Sequence, residues 1–438
     1  MTRKKLAVLT LLVFILIFSL KMLKNPVKIK SGKDITFYVT SDIHYLANDL
    51  TDGGEAFQKF VNSSDGRVLN YMDPLMSAFT SDIKSKKPDV LIISGDLTSN
   101  GEKQSHLELA RRLEVIKKSG TLVYVIPGNH DVLNPYARGF RGSEQYVVSS
   151  INASDFSKIY GDFGYGDAVS RDPASLSYLA APSDDVWLLM LDTAKYDNNM
   201  RIGAPETDGE IRPETFDWIK NCSALAKEHH AQLIAVMHHS LMDHSVVSEN
   251  FTLNNSKQAI DAFQNADIKL SLTGHIHLQD IKSYTSGNKT IYDIASSSFG
   301  RYPQQYGIIR YSNIDGFNYS TSRINVEGWA RDVHSTDDNL LNFEEYSKEF
   351  LARTSYSKIY FSLEAAGYPD EQIDLMIKTF NLLNQAYNEG KPPINIETIK
   401  NSEGYKLWAS ADGVPMQKRI LRLADSSIDN TILQISIK

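Results

Sequence analysis

The stretch TLVYVIPGNHDVL (121–133) changes from strand chemistry to polar chemistry within two residues. Residues 121–126 are apolar or β-prone, Pro127-Gly128 bends the chain, and Asn129, His130 and Asp131 then arrive together. An apolar run closed by a Pro-Gly turn reads as a buried strand. Three metal-competent side chains at its end are either an ordinary turn or part of a site, and the rest of the sequence decides which.

The same ending recurs along the chain. ITFYVT is followed by Asp42 and His44, DVLIIS by Gly95-Asp96, QLIAVM by His238-His239, and IKLSLT by Gly274-His275-Ile276-His277. Helical patterns lie between several of these strands, such as SHLELARRLEVIKKSG (105–120), which closes on Lys-Lys-Ser-Gly as a helix C-terminus should. Strands alternating with helices indicate an α/β sheet. Ligands of open α/β sheets bind outside the carboxyl ends of the strands. That rule would gather Asp42, His44, Asp96, Asn129, His238, His275 and His277 in one place. Carboxylate and amide oxygens mixed with neutral imidazoles suit Zn, Mn, Fe, Ni or Co rather than Ca or Mg alone. Seven ligands exceed one tetrahedral zinc and match two metals sharing a carboxylate. Asp96 is the natural bridge, because Gly95 lets the backbone turn sharply before it. D-x-H and G-D alone are commonplace and G-H-x-H alone is moderately unusual; the ordered set is what points to chemistry.

The order D-x-H, G-D, G-N-H-D, H, G-H-x-H resembles the signature of the calcineurin-like metallophosphoesterases over roughly residues 35–325. The resemblance implies a four-layer αββα sandwich. It implies one metal on Asp42, His44, Asp96 and His277, and another on Asp96, Asn129, His238 and His275. It favours His238 over the adjacent His239; strand alternation sends one of the pair to the far face without choosing which. Two metals about 3.5–4 Å apart hold a hydroxide nucleophile and polarise phosphoryl oxygens. The resemblance gives His130 the role of stabilising the transition state or protonating the leaving oxygen. Asp131 would orient His130 or a ligand histidine. The expected cofactors are two divalent transition-metal ions, and the expected partner is a small phosphate-ester substrate. Within the family the G-N-H-D form resembles bacterial class III cyclic-nucleotide phosphodiesterases, which implies phosphodiester hydrolysis with 3′,5′- or 2′,3′-cyclic nucleotides among the candidates. A phosphomonoesterase such as a 5′-nucleotidase, a lipid or wall-polymer phosphodiesterase, and a catalytically silent, metal-stabilised binding module are the alternatives.

Residues outside the motifs carry weaker signals. Arg138, Arg141 and Arg301 sit on loops after strands, where a substrate phosphate would welcome a guanidinium. Tyr45, next to His44, is a candidate for stacking on a base or sugar, with core packing the alternative. His106, His229, His230 and His334 read as surface residues, while His244 follows the ligand strand closely enough to be considered for the rim.

Residues 34–330 form the expected catalytic domain. Within it, residues 132–185 are rich in Gly, Ser, Asp and Tyr without a long period, and read as an excursion over the sheet ends with a short helix near SDFSKIYGDF (154–163). Helical patterns dominate from about residue 331. In PDEQIDLMIKTFNLLNQAYNEG (369–390), Ile373, Met376, Ile377, Phe380, Leu383 and Tyr387 form one stripe, with Pro369 before it and Gly390 after it. Residues 331–438 are therefore expected to form a small all-helical domain. Cys222 is the only cysteine, which forbids an intrachain disulfide and a cysteine-based metal site.

The first 33 residues stand apart. MTRKK precedes an uninterrupted apolar run of 15 residues, LAVLTLLVFILIFSL (6–20), long enough for a signal peptide or a short span. No A-x-A cleavage pattern and no lipidatable Cys follow. The expectation is a signal-anchor holding an extracytoplasmic catalytic domain at the cell membrane, with secretion as the alternative. Lysines flank the run on both sides, so the positive-inside rule does not orient it. These residues hold eight Lys/Arg and no acid, leaving 38 basic against 53 acidic residues in the remainder. A domain that acidic does not hold a long nucleic-acid duplex by electrostatics. Any phosphate it handles needs a local source of positive charge.

Overall fold

The computed structural model describes residues 29–245 and 249–437. The apolar run 6–20, and with it the anchor expectation, lies outside the described residues. Among the described residues no helix is long and apolar enough to cross a membrane.

The strands, in chain order, are β1 (Ile35–Thr40), β2 (Val90–Ser94), β3 (Leu122–Ile126), β4 (Arg138–Arg141), β5 (Glu144–Val147), β6 (Ser170–Arg171), β7 (Tyr178–Ala180), β8 (Val186–Leu191), β9 (Gln232–Met237), β10 (Leu270–Thr273), β11 (Asp280–Ser286), β12 (Lys289–Ala295), β13 (Gln305–Ser312), β14 (Gly316–Arg323) and β15 (Ile432–Ile435). They build one six-stranded sheet, β15-β14-β13-β1-β2-β3, and one seven-stranded sheet, β11-β12-β10-β9-β8-β7-β6. β4 and β5 form a separate hairpin. β1, β2 and β3 run parallel at one side of the first sheet, as do β8, β9, β10 and β12 in the second.

Side-chain alternation sorts these strands into layers. Leu188, Met190, Ile234, Val236, Leu270 and Leu272 join Phe37, Val39 and Ile92 in the core that contains the contact between the sheets. The intervening residues Trp187, Leu189, Leu233, Ala235 and Met237 pack instead with Trp218, Ile219 and Phe263 of the helices Pro213–Glu228 and Ser256–Asn265. The helices Met72–Lys86 and Lys103–Lys118 pack on the first sheet through Leu75, Phe79, Leu109 and Leu113. The order is helix, sheet, sheet, helix. Both faces of the parallel strands are covered, which is why they read as continuous apolar runs.

Two expectations need correction. Residues 132–185 contain the short helix Ala153–Ile159, closed at its start by a capping box of Asn152 and Asp155. The same region also supplies β6 and β7, which extend the second sheet. Strands of two and three residues are too short to show a period. The C-terminal region is not all-helical. After the helices Phe343–Ala365, Asp370–Glu389, Ile396–Asn401, Glu403–Ala409 and Gln417–Ala424, β15 returns to pair antiparallel with β14, Ile435 opposite Phe317. β14 would otherwise end the sheet with unpaired backbone groups. The alternation in ILQISI (432–437) carries this signal.

The C-terminal helices have their own core around Trp408, Leu363, Ile373, Met376, Phe380 and Ile420. Trp408 is fully buried and donates its indole N–H to the carbonyl of Met376 at 2.7 Å. Trp408→Ala is expected to cost about 3–5 kcal/mol. Urea unfolding followed by helical circular dichroism checks this, and a loss near zero would contradict the packing.

Candidate metal centre

The carboxyl ends of β1, β2, β3, β9 and β10 deliver the polar residues to one place. Ladder-like bonding continues past β1 and β2: the N–H of Asp42 donates to Gly95 at 3.1 Å and that of His44 to Asp96 at 2.9 Å. His238 continues the β9 register of Ile234 and Val236, whose side chains face the other sheet. His239 continues the register of Ala235 and Met237, on the helix-covered face. The strand therefore does choose between the pair once the faces are known. His239 bonds Thr193 Oγ1 at 2.8 Å and the Thr207 carbonyl at 3.2 Å, outside the cluster.

Asp42, His44, Asp96 and His277 each place a ligand atom within 4.8 Å of the others, and Asp96, His238 and His275 do the same. Asp96 belongs to both groups. Asn129 Oδ1 lies 3.1 Å from His238 Nε2. The spacings fit metal ions on a geometric test. His44 Nε2 is 3.1 Å from His277 Nε2 and 3.5 Å from Asp96 Oδ2. His277 Nε2 is 3.3 Å from Asp42 Oδ1, and His238 Nε2 is 3.4 Å from Asp96 Oδ1. Ligands bound at about 2.0–2.2 Å and separated by about 90–110° stand roughly 3.0–3.5 Å apart.

Electrostatics agree with the spacing. Burial opposes charge on His238, yet Asp96, with Asp42 behind it, outweighs burial and lifts this imidazole to about 9. Burial likewise favours neutral carboxyls, but His277 beside Asp42, and His238 with His130 beside Asp96, hold both acids below their usual range. Burial and then the charge of Arg67 keep His44 well below its ordinary value, and burial and His238 bring His275 down to about 4. Two buried carboxylates that demand positive charge, set among imidazole nitrogens, are the donor set of a divalent transition metal.

Outer bonds aim each ring. His238 Nδ1 meets the Ser94 carbonyl at 2.9 Å and His275 Nε2 meets the Asn250 carbonyl at 2.9 Å, leaving the other nitrogen of each for the cluster. The N–H of His275 donates to Asp42 Oδ2 at 3.0 Å, and the N–H of His130 donates to Asp96 Oδ1 at 3.0 Å. The backbone is strained to achieve this. Asp42, His44, Asp96, His275 and His277 all have positive φ, between 49° and 69°. Each such residue costs about 1–2 kcal/mol, and such strain concentrates at functional sites. Gly95, at φ +100°, has no room for a Cβ because the His238 ring occupies it. A Cβ on Gly128 would overlap the Asp96 carboxylate.

The other residues singled out in the sequence fare differently. His130 reaches the centre: Nδ1 is bound to the Ser99 carbonyl at 2.7 Å, and Nε2 lies 3.9 Å from Asp96 Oδ2. Asp131 does not orient His130. Its carboxylate accepts the N–H groups of Leu97, Thr98 and Gly128 at 2.8–3.0 Å and the Thr98 hydroxyl at 2.9 Å, clamping the Asp96 loop to the Asn129 loop. Tyr45 is fully buried, its hydroxyl donating to Asp73 at 2.7 Å and accepting from Arg112 at 3.0 Å, so no substrate ring can stack on it. Arg138 spends Nη1 on the carbonyls of Pro135 and Ala137. His106 is buried rather than superficial, bonded to Tyr160 and to the Asp131 carbonyl. His244 misses the cluster and lies between Asp280 and Asp293, at 2.9 and 3.0 Å. Asp293 also accepts the N–H groups of Leu241 and Met242, so this triad fixes the chain after His239. Sequence reasoning missed Arg67, whose charge bears on Asp42, Asp96, His44 and His130. It follows no strand of the metal-bearing set, so no motif marks it.

Residues 35–279 match the family model of the calcineurin-like phosphoesterases, more than half of the chain. The chain belongs to the calcineurin-like phosphoesterase family. Residues 325–427 match the model of the C-terminal domain of cyclic nucleotide phosphodiesterase. No curated protein matches the chain significantly. Among solved structures, it is similar to a dimetal phosphatase from Danio rerio (11% identity, 66% of this chain and 95% of that one, TM-score 0.44). It is also similar to GAP50, the anchor in the inner membrane complex of Plasmodium (10%, 67% and 85%, TM-score 0.38). A third is TT1561 of Thermus thermophilus (9%, 67% and 100%, TM-score 0.35).

Two outcomes are expected here. Gly128→Ala should push the Asp96 loop and the His238 ring out of place and lower metal affinity by roughly tenfold or more; elemental analysis after dialysis at graded metal concentration measures it. For His244, burial alone would lower the pKa, but Asp280 and Asp293 overcome it and lift the ring to about 9. A raised folded value stabilises fully below the unfolded value of about 6.5 and is lost as pH rises through the folded one. The stability gap between wild type and His244→Gln should be widest below pH about 6.5 and shrink as pH passes about 9, read from urea midpoints across that range.

Proposed function

We propose that the chain is a binuclear metal-dependent phosphodiesterase for small phosphate diesters, cyclic nucleotides among them. The observation that carries the reading is Asp96 shared between two ligand groups, with His130 Nε2 beside it. In this reading Asp42, His44, Asp96 and His277 hold one divalent ion, and Asp96, Asn129, His238 and His275 hold the other. Two such ions supply Lewis acidity toward phosphoryl oxygens and lower the pKa of a nucleophilic water. The rest falls to the chain. The Nδ1–H of His130, held by the Ser99 carbonyl, leaves Nε2 as the atom that carries a proton to the leaving oxygen. Burial lowers the pKa of this ring and Arg67 adds to that, while Asp96 opposes them. The proton is therefore held best when negative charge develops on the leaving oxygen next to Nε2. Arg67 adds fixed positive charge where the phosphoryl oxygens would lie.

The diester preference is supported by the match of residues 325–427 to a domain named for cyclic nucleotide phosphodiesterase. An extracytoplasmic, membrane-anchored or secreted setting is proposed on the apolar run 6–20 alone. Turnover of bis- and mono-(p-nitrophenyl) phosphate with added Mn tests the function. The diester is expected to be the better substrate, and Asp96→Asn should lower kcat/KM roughly 100-fold or more. A faster monoester would move the chain to the phosphomonoesterases. No turnover of either ester by metal-loaded protein would leave a metal-stabilised binding module as the surviving account.

A further inference from the structure

The described chain enters the domain at the edge opposite the metal centre. Ile29 forms a bridge with Ser183: its N–H donates to the Pro182 carbonyl at 3.1 Å, and its carbonyl accepts the Asp184 N–H at 2.9 Å. Its side chain packs against the main core. Two residues on, the Asp185 carboxylate accepts the Ser31 hydroxyl at 2.6 Å and the Gly32 N–H at 2.8 Å. Ser183 to Asp185 lead directly into β8 at Val186, and Ile35 opens β1 three residues after Gly32. The parallel strands of both sheets run from this edge toward the ends that carry the ligands. The strap 29–34 is thus fixed where those strands begin, while Asp42, Asp96, Asn129 and His238 stand where they finish.

Other features mark the two edges. Ile35 pairs with Tyr311, which puts the turn between β13 and β14 at the strap edge. In that turn Asn313 donates to Asp185 at 3.3 Å, and Ile314 beside it is 76% exposed. The C-terminal helices dock toward the other edge, Glu389 on Arg323 at the end of β14 and Asn430 on Gln279, two residues beyond His277. Eight residues, 21–28, separate the apolar run 6–20 from Ile29. A chain of that length spans at most about 30 Å. The strands alone cover about 17–20 Å from edge to edge, and the loops carrying His130 and His277 stand beyond them. To bring the metal centre to a bilayer holding residues 6–20, the tether would have to run fully stretched along the side of the domain and past those loops. A relaxed tether leaves the strap edge toward the bilayer.

We propose that the strap edge, with Ile314 at its rim, is the face the domain turns to a lipid bilayer, and that the metal centre opens away from it. The proposal rests on the membrane-anchored phosphodiesterase reading and deepens it: the substrates are water-soluble diesters, and the phospholipid diesters of the anchoring bilayer lie out of reach. Hydrolysis needs the reacting atoms about 3–3.5 Å apart. A phospholipid phosphorus stays at the bilayer surface, roughly 20 Å or more from a centre beyond the far ends of the strands.

Cys222, the only cysteine, is buried, so an introduced surface thiol is labelled alone. Full-length Ile314→Cys, at the strap edge, and full-length Tyr136→Cys each receive a donor dye; Tyr136 is 47% exposed and lies six residues after His130, at the metal edge. Both proteins are reconstituted into phosphatidylcholine–phosphatidylglycerol vesicles carrying an acceptor dye on a fraction of the headgroups. Energy transfer from Ile314→Cys should exceed that from Tyr136→Cys by roughly twofold or more, because the length of a strand separates the two positions. Equal transfer from both, or stronger transfer from Tyr136→Cys, overturns the proposal. Hydrolysis of the vesicle's own phosphatidylglycerol by Mn-loaded wild type, at a rate comparable to that of bis-(p-nitrophenyl) phosphate, also overturns it. Protein that fails to float with the vesicles removes the membrane reading and the proposal with it. Turnover of bis-(p-nitrophenyl) phosphate in the same sample decides the phosphodiesterase reading separately.

Discussion

Asp96 places a carboxylate at 1% exposure between two groups of imidazoles, and much of the molecule is arranged around that charge. A buried carboxylate without a counter-charge is expensive enough to neutralise itself or unfold its surroundings. Here it is kept ionised by the rings of His238 and His130 and by the N–H of His130. The glycines at 95 and 128 leave room for those contacts, and left-handed backbone at five residues aims the side chains inward. The parallel strands, packed on both faces, are the rigid mount that sustains this strain. A divalent cation at such a point adds the one component the protein atoms do not supply.

The strand ends are legible because each apolar run closes abruptly on Asp, Asn or His, and parallel topology carries all the ends to one edge. Local patterns fail where the deciding contact is long-range. Alternation cannot separate His238 from His239 while both faces of β9 are apolar; only the identity of the two cores does so. Tyr45 reads as a stacking candidate and Asp131 as the orienter of a histidine, but Asp73, 28 residues from the one, and Leu97, 34 residues from the other, claim them. Arg67 stands between Gly66 and Val68 with no motif around it, and its closeness to the centre comes entirely from tertiary packing. β15 carries a readable alternation, but the helices before it dominate the composition and hide it.

The acidic balance of the chain and its phosphate chemistry are reconciled by placement. The formal charge is −7 overall, yet Arg67 lies close enough to Asp42 and Asp96 for its charge to bear on both, and Arg301 pairs with Asp65 nearby. Fixed cations in a partly desolvated cleft act far more strongly on a phosphate than the net charge does at long range. The C-terminal region is bound into this arrangement rather than appended to it. Glu389 meets Arg323 at 2.8 Å and the Tyr302 hydroxyl, Gln279 donates to Asn430 at 2.9 Å, and β15 completes the first sheet.

The central claim is that the two ligand groups joined by Asp96 form one binuclear centre. Anomalous diffraction from crystals of the metal-loaded protein tests it most directly. The account predicts two peaks about 3.5–4 Å apart, one within bonding distance of Asp42, His44, Asp96 and His277, the other of Asp96, Asn129, His238 and His275. A single peak, peaks that do not share Asp96, or a metal bound through His239 would contradict it.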